Sequence, residues 1–230
     1  MKRGSSLFFA LFLSLYAANA QSDCNSFYPF TIGSNFQMTS YDAKGKSSAT
    51  MDYAVTQVTE NKGQEIATVA SVIKDADGKS IADTTFDVSC NGDLISMDFK
   101  SMASPQILEQ YKDMDVKMNG TNLEFPNNLS VGQSLPDASL QIQISMGGIK
   151  MNVDTTIQNR KVVGNENITT PAGTFDCYVI TYDSAVKAAG INQTTQAKQW
   201  LAKGVGMVKQ ENYNKKGKVS STSVLTKFSK

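Results

Sequence analysis

Residues 167–183, NITTPAGTFDCYVITYD, constrain the fold more than any other stretch. Thr170, Pro171, Ala172 and Gly173 form a tight turn. In the strand that follows, successive side chains alternate between faces, so Phe175, Cys177 and Val179 point one way and Tyr178, Ile180 and Tyr182 the other. Neither face is polar, and a strand apolar on both faces must be covered on both. The segment reads as the central strand of an antiparallel β-protein, and the rest of the chain must supply its two covers.

The remaining periodicity agrees. Strands are expected at 35–41, 47–60, 64–74, 80–90 and 94–99. Three turns between strands share one pattern: DAKGK at Asp42, DADGK at Asp75 and NKKGK at Asn214. In each, Asp or Asn caps the turn, Gly takes the left-handed position and Lys starts the next strand. Asn91-Gly92-Asp93 is a hairpin turn of the Asn-Gly type, with positive φ expected at both central positions. Leu140, Ile142, Ile144 and Met146 alternate with polar residues. After Gly147-Gly148, Ile149, Met151, Val153 and Ile157 alternate likewise, a hairpin with one dry face. Residues 115–137 read as short extended pieces, and 161–167 lead into the central segment. A helical turn is expected at 184–190, then strands at 193–202, 205–213 and 218–228.

One substantial helix is expected at 104–114. Ser104 caps it, Pro105 suits its first turn, and Ile107, Leu108 and Tyr111 make its apolar face. The fold class is all-β with one or two short helices. So many antiparallel strands, about ten, must curl into a strongly curved sheet or open half-barrel. No composition shift marks a boundary, so residues 21–230 read as a single β-rich domain.

Residues 1–20 read as a cleaved signal peptide. Lys2 and Arg3 precede an apolar run at 7–17, and Ala18-Asn19-Ala20 is a cleavage pattern. The residues before Cys24 are not the small, apolar set that lipoprotein processing requires, so a soluble exported chain is expected, periplasmic or extracellular. After Ala20 the chain holds 20 Lys and Arg against 21 Asp and Glu, a net charge of −1. That balance points away from nucleic acid and anionic membranes as partners. Of the three cysteines, Cys177 falls in the apolar strand as a buried thiol. Cys24 and Cys90 are then the pair expected to bridge, tying the N-terminal segment to the sheet. The aromatics of 26–32 are expected to pack under the sheet edge.

The chain has no histidine. That removes Ser-His and Cys-His nucleophiles and the commonest transition-metal ligand. Asp75 and Asp77 lack the closing glutamate of a calcium loop and read as a turn. The ten methionines are scattered at strand positions, as core residues are. No catalytic residue, cofactor or metal is expected. Thr84, Thr155 and Ser184 each follow Asp in the D-[ST]-small/apolar pattern of O-glycosylation in Bacteroides-like bacteria.

PAGTFDCYVITYD, KQWLAKGVGMVKQENYNKKGK and CNSFYPFTIGSNFQMTSYDAKGK together resemble the TapB-like family of exported bacterial proteins of unknown function. That family is similar in fold to the lipoprotein carriers LolA and LolB, a curved antiparallel sheet with helices on its concave side. The resemblance implies that fold and a Bacteroidetes-type host, and it carries no catalytic residue. Three functional readings follow. The first is a binding module holding a lipid, other apolar ligand or peptide on the concave face. Tyr178, Ile180, Tyr182 and Trp200 would line it under a lid carrying Leu108 and Tyr111. The second is a structural or interaction protein of the envelope, with those residues as core and an envelope protein as partner. The third is a carboxylate-dependent hydrolase. An apolar pocket of roughly 300 Å³ or more favours the first, and a filled interior favours the second.

Overall fold

The computed structural model of this protein describes residue 24 and residues 27–103, 113–188 and 190–230. The expected signal peptide and most of the expected helix, with Leu108 and Tyr111, lie outside them. The strands are β1 (Asn35–Asp42), β2 (Ser47–Asn61), β3 (Gln64–Asp75), β4 (Ser80–Cys90), β5 (Leu94–Met97), β6 (Asp115–Thr121) and β7 (Leu123–Pro126), followed by β8 (Ala138–Met146), β9 (Ile149–Thr170), β10 (Gly173–Ala188), β11 (Ile191–Ala202), β12 (Gly206–Tyr213) and β13 (Val219–Ser229). All belong to one antiparallel sheet ordered β6-β8-β9-β10-β11-β12-β13-β1-β2-β3-β4-β5-β7. The first and last strands therefore meet in mid-sheet. Thr39 pairs with Val224, and the Ser40 and Ser223 hydroxyls are 2.8 Å apart.

The three Asx-Gly-Lys turns are built alike. Asp42 Oδ1 accepts the backbone N–H groups of Lys44 and Lys46, Asp75 Oδ1 those of Asp77 and Lys79, and Asn214 Oδ1 those of Lys216 and Lys218. The Asp75 carboxylate is thus engaged in turn bonds, as the hairpin reading of Asp75-Asp77 requires. At the Asn91 turn only Gly92 has positive φ. There Asn91 Oδ1 caps Asp93 and Leu94 instead.

Two expectations give way to longer strands. The helical turn at 184–190 is absent, because β10 runs on to Ala188, held between β9 and β11. Ladder bonds on both sides outweigh the local preference of its small residues. Residues 149–157 and 161–167 are one strand, β9, bent by a bulge where Tyr182 of β10 faces Asn159 and Arg160. Asn159 has a φ of 56°, which Asn tolerates better than most residues.

The sheet curls into a nearly closed barrel. The main core runs through Phe36, Val55, Val69, Phe86, Val88, Ile95, Phe125, Val162, Ile180 and Leu225. A second core joins Leu140, Ile142, Ile144 and Val153 on the β8–β9 hairpin, as the alternation predicts. The gap between the sheet's ends is spanned by Arg160. Its guanidinium donates to the carbonyls of Glu124 on β7 (2.7 Å) and Pro136 (2.5 Å). Arg160 is 3% exposed, and burial lowers its pKa to about 10. The segment before β8 adds backbone bonds to β9 through Gln133 and Leu135.

Candidate functional site

The N-terminal segment is tethered by the Cys24–Cys90 disulfide, with Cα atoms 5.6 Å apart. Its aromatics pack against the edge strand β7, as expected, and reach beyond it to the inner face of the curled sheet. Phe27 is fully buried. Its ring meets Phe125 of β7 edge-on at 6.4 Å and Tyr178 of β10 at 5.7 Å. These strands lie far apart in the sheet order, so the sheet wraps around this ring. Tyr28 packs on Phe36, which stacks on Tyr53, which meets Phe86. Burial raises the pKa of Tyr28, and that of Tyr53 to about 12. Gly206 has a φ of 95°, and a Cβ there would stand 3.3 Å from the Tyr28 ring. The Gly-Val-Gly stretch at 204–206 thus makes room for the N-terminal segment.

Three of the residues expected to line a concave site are brought together. Tyr178, Ile180 and Tyr182 share the inner face, opposite Leu201, Gln199 and Ala197 of β11. Ile180 is fully covered, and Tyr182 lies beside Arg160, its pKa raised to about 12 by burial. Trp200 does not join them. It is opposite Val179, on the other face. A one-residue difference in register moves a side chain across the sheet, and the reach of β10 to Ala188 sets that register.

Trp200 instead organises the outer face. Its Nε1 donates to Glu166 Oε2 at 2.8 Å. Glu166 is on β9, two strands away, so the indole lies across β10 above Cys177 and Val179. This is the second cover that the two-sided strand needs. Lys198 and Lys209 place their ammonium groups 4.6 and 4.7 Å from the ring centroid, a cation–π arrangement. Lys198 also pairs with Glu166 at 2.9 Å, and Lys209 with Glu211 at 2.7 Å. The Trp200 and Lys198 hydrogen bonds hold Glu166 below the usual carboxylate range. Burial pushes the free Cys177 thiol up to about 11, leaving it protonated at neutral pH.

Beside this cluster is an open depression of about 540 Å³, lined by Asn159, Thr181, Asp183, Gln196, Lys198 and Tyr213 among others. The β9 bulge shapes it. Asn159 Nδ2 donates to Asp183 Oδ2 at 2.8 Å, and Tyr213 donates to Glu211 at 2.5 Å. Of the residues lining the depression, the sequence singles out only Tyr182. A register-dependent bulge leaves no local signature by which Asn159 and Gln196 would be found. Thr84, Thr155 and Ser184 are half-buried in paired strands β4, β9 and β10. Among the described residues no group of three or more potential ligands is placed to hold a metal ion, and no helix is long and apolar enough to cross a membrane.

Solved structures share the fold. A protein with a YmcC-like fold from Bacteroides fragilis, inferred to be exported, is 25% identical with a TM-score of 0.77, and the match covers 90% of this chain and 100% of that one. A protein from Parabacteroides distasonis, inferred to be a lipoprotein, matches at the same 25% identity, TM-score 0.77 and coverage of 90% and 100%. No curated protein matches significantly. The profile of the DUF3108-like family matches residues 31–225, nearly the whole β-sheet, and the chain belongs to that family.

Proposed function

We propose that this chain is an exported, non-catalytic interaction protein of the cell envelope, whose barrel interior is a filled core rather than a carrier's cavity. The carrying observation is Phe27. It occupies the inner face at Tyr178, where an apolar ligand would rest, and it is fully buried there. Occupation by the chain's own side chain favours the interaction reading over a LolA-like lipid carrier. The TapB-like resemblance, with its Bacteroidetes-type host, fits the same role. So does the absence of histidine from the chain, which removes the usual general base.

The disulfide supports an exported chain that is not anchored through Cys24. A lipoprotein cysteine carries its lipid on sulfur, and here that sulfur is bonded to Cys90. This distinguishes the chain from the relative inferred to be a lipoprotein.

Native mass spectrometry of protein purified from its own host tests the reading. The expected result is bare protein, and no fluorescence gain when N-phenyl-1-naphthylamine is added. Phe27→Ala is expected to cost about 3–5 kcal/mol of stability and to admit the dye. A stoichiometric lipid on the wild-type protein would overturn the filled-core reading.

A further inference from the structure

We infer that the outer-face depression at the β9 bulge is a binding site for a neutral oligosaccharide. The inference rests on the reading that recognition takes place outside the barrel, and it names the ligand class.

The volume, about 540 Å³, lies within the range of small-ligand sites. The lining mixes polar and apolar surface in about equal shares, with Tyr182 and Ala197 beside the polar groups. It offers a carboxylate (Asp183), two amides (Asn159, Gln196), a hydroxyl (Thr181), an ammonium (Lys198) and a phenol ring (Tyr213). Amides and a carboxylate side by side donate to and accept from neighbouring hydroxyls, which is what a sugar edge presents. Lys198 is paired with Glu166 and one oxygen of Asp183 holds Asn159, so the lining presents no surplus charge to select a cationic or an anionic ligand. The depression is open to solvent, so a sugar ring can enter it from outside.

The backbone supports a built site. Asn159 is one of two non-glycine residues with positive φ among those described. Its conformation places the amide on Asp183 at 2.8 Å, which fixes one carboxylate oxygen and leaves the other to accept. The same bulge sends the neighbouring Arg160 inward to Glu124 and Pro136. Neighbouring residues thus serve both places, Arg160 at the gap in the barrel and Asn159 in the wall of the depression.

An array of neutral and acidic oligosaccharides, probed with the full mature chain, tests this. The strongest neutral binder is then titrated calorimetrically. Saturable binding is expected, with Asp183→Ala and Gln196→Ala each weakening it about tenfold, as loss of a hydrogen bond involving a charged or well-placed group does. Asp183→Asn keeps the side-chain shape and is expected to weaken binding less, so a folding defect in the alanine variant does not confuse the result. Phe27→Ala is expected to leave binding unchanged, which separates this site from the barrel interior. No saturable binding on the array overturns the proposal. So does binding confined to acidic sugars, or binding indifferent to both alanine substitutions. The filled-core reading survives each of those outcomes, since its own test is lipid and dye uptake.

Discussion

Breaking the Cys24–Cys90 disulfide is expected to remove a large share of this protein's stability. The two cysteines are separated by 66 residues. In the chain-entropy account, closing a loop of that length restricts the unfolded chain by about 4 kcal/mol at 25 °C. For a domain of this size that corresponds to a fall in Tm of roughly 8–16 °C. The loop spans β1–β4, so the tether joins the Phe27 segment to the strands beside it. Cys24→Ala breaks the bridge. Cys90→Ala also removes a sulfur that accepts weakly from Asn127 Nδ2 and the Gly92 N–H, each at 3.4 Å. Urea melts of wild type, Cys24→Ala and Cys24→Ala/Phe27→Ala measure the loss. If the bridge also holds Phe27 in place, Phe27→Ala costs less in the Cys24→Ala background than in the wild type, and the difference is the coupling energy. A loss below about 1 kcal/mol on breaking the bridge would refute the loop-closure reasoning. Full additivity of the two substitutions would refute the role of the bridge in seating Phe27.

Arg160→Met is expected to leave the Glu124 and Pro136 carbonyls without their donor, and to cost about 2–4 kcal/mol in a chemical melt. Arg160→Lys recovers only part of this, since an ammonium lacks the planar fork, and equal stability of Lys and Arg variants would contradict the assignment. Trp200 is the single tryptophan, so its fluorescence reports Glu166 directly. The Glu166 pKa is depressed below 4.5 in the folded state, chiefly by the Trp200 hydrogen bond. Its stabilising contribution is therefore present above about pH 4.5 and lost as pH falls through the lower folded value. An emission change in that acid window is expected, absent in Glu166→Gln, and a transition that persists in that variant rules Glu166 out as its source.

What the sequence makes legible here is local chemistry. The Asp42, Asp75 and Asn214 turns could be read residue by residue because capping, positive φ and strand start all fall within five positions. The β8–β9 hairpin was legible because alternation with a dry face survives without knowledge of its neighbours. Features set by register were not. Trp200 lies in a recognisable strand, yet its face depends on how far β10 extends before the chain turns. The bulge at Asn159 arises where β9 must leave β8 and continue along β10, a demand of the whole sheet. Phe27 reads as an aromatic near an edge, which it is, and only the curvature of the sheet brings Tyr178 of β10 to the same ring.

The meeting of β1 and β13 in mid-sheet bears on how the chain is made. Hairpins such as β2–β3 can zip as soon as their residues emerge. The seam cannot, for it joins residues as far apart as Thr39 and Thr226, 187 positions along the chain. Everything from β1 to β7 on one flank, apart from β6, waits beside an unpaired edge until the last strand arrives. A chain cut short before Val219 would keep most of its hairpins and still present two bare edges, the form of β-structure most prone to pair with strangers. The seam therefore makes closure of the two flanks depend on β13, and without that strand both flanks keep open edges prone to aggregation.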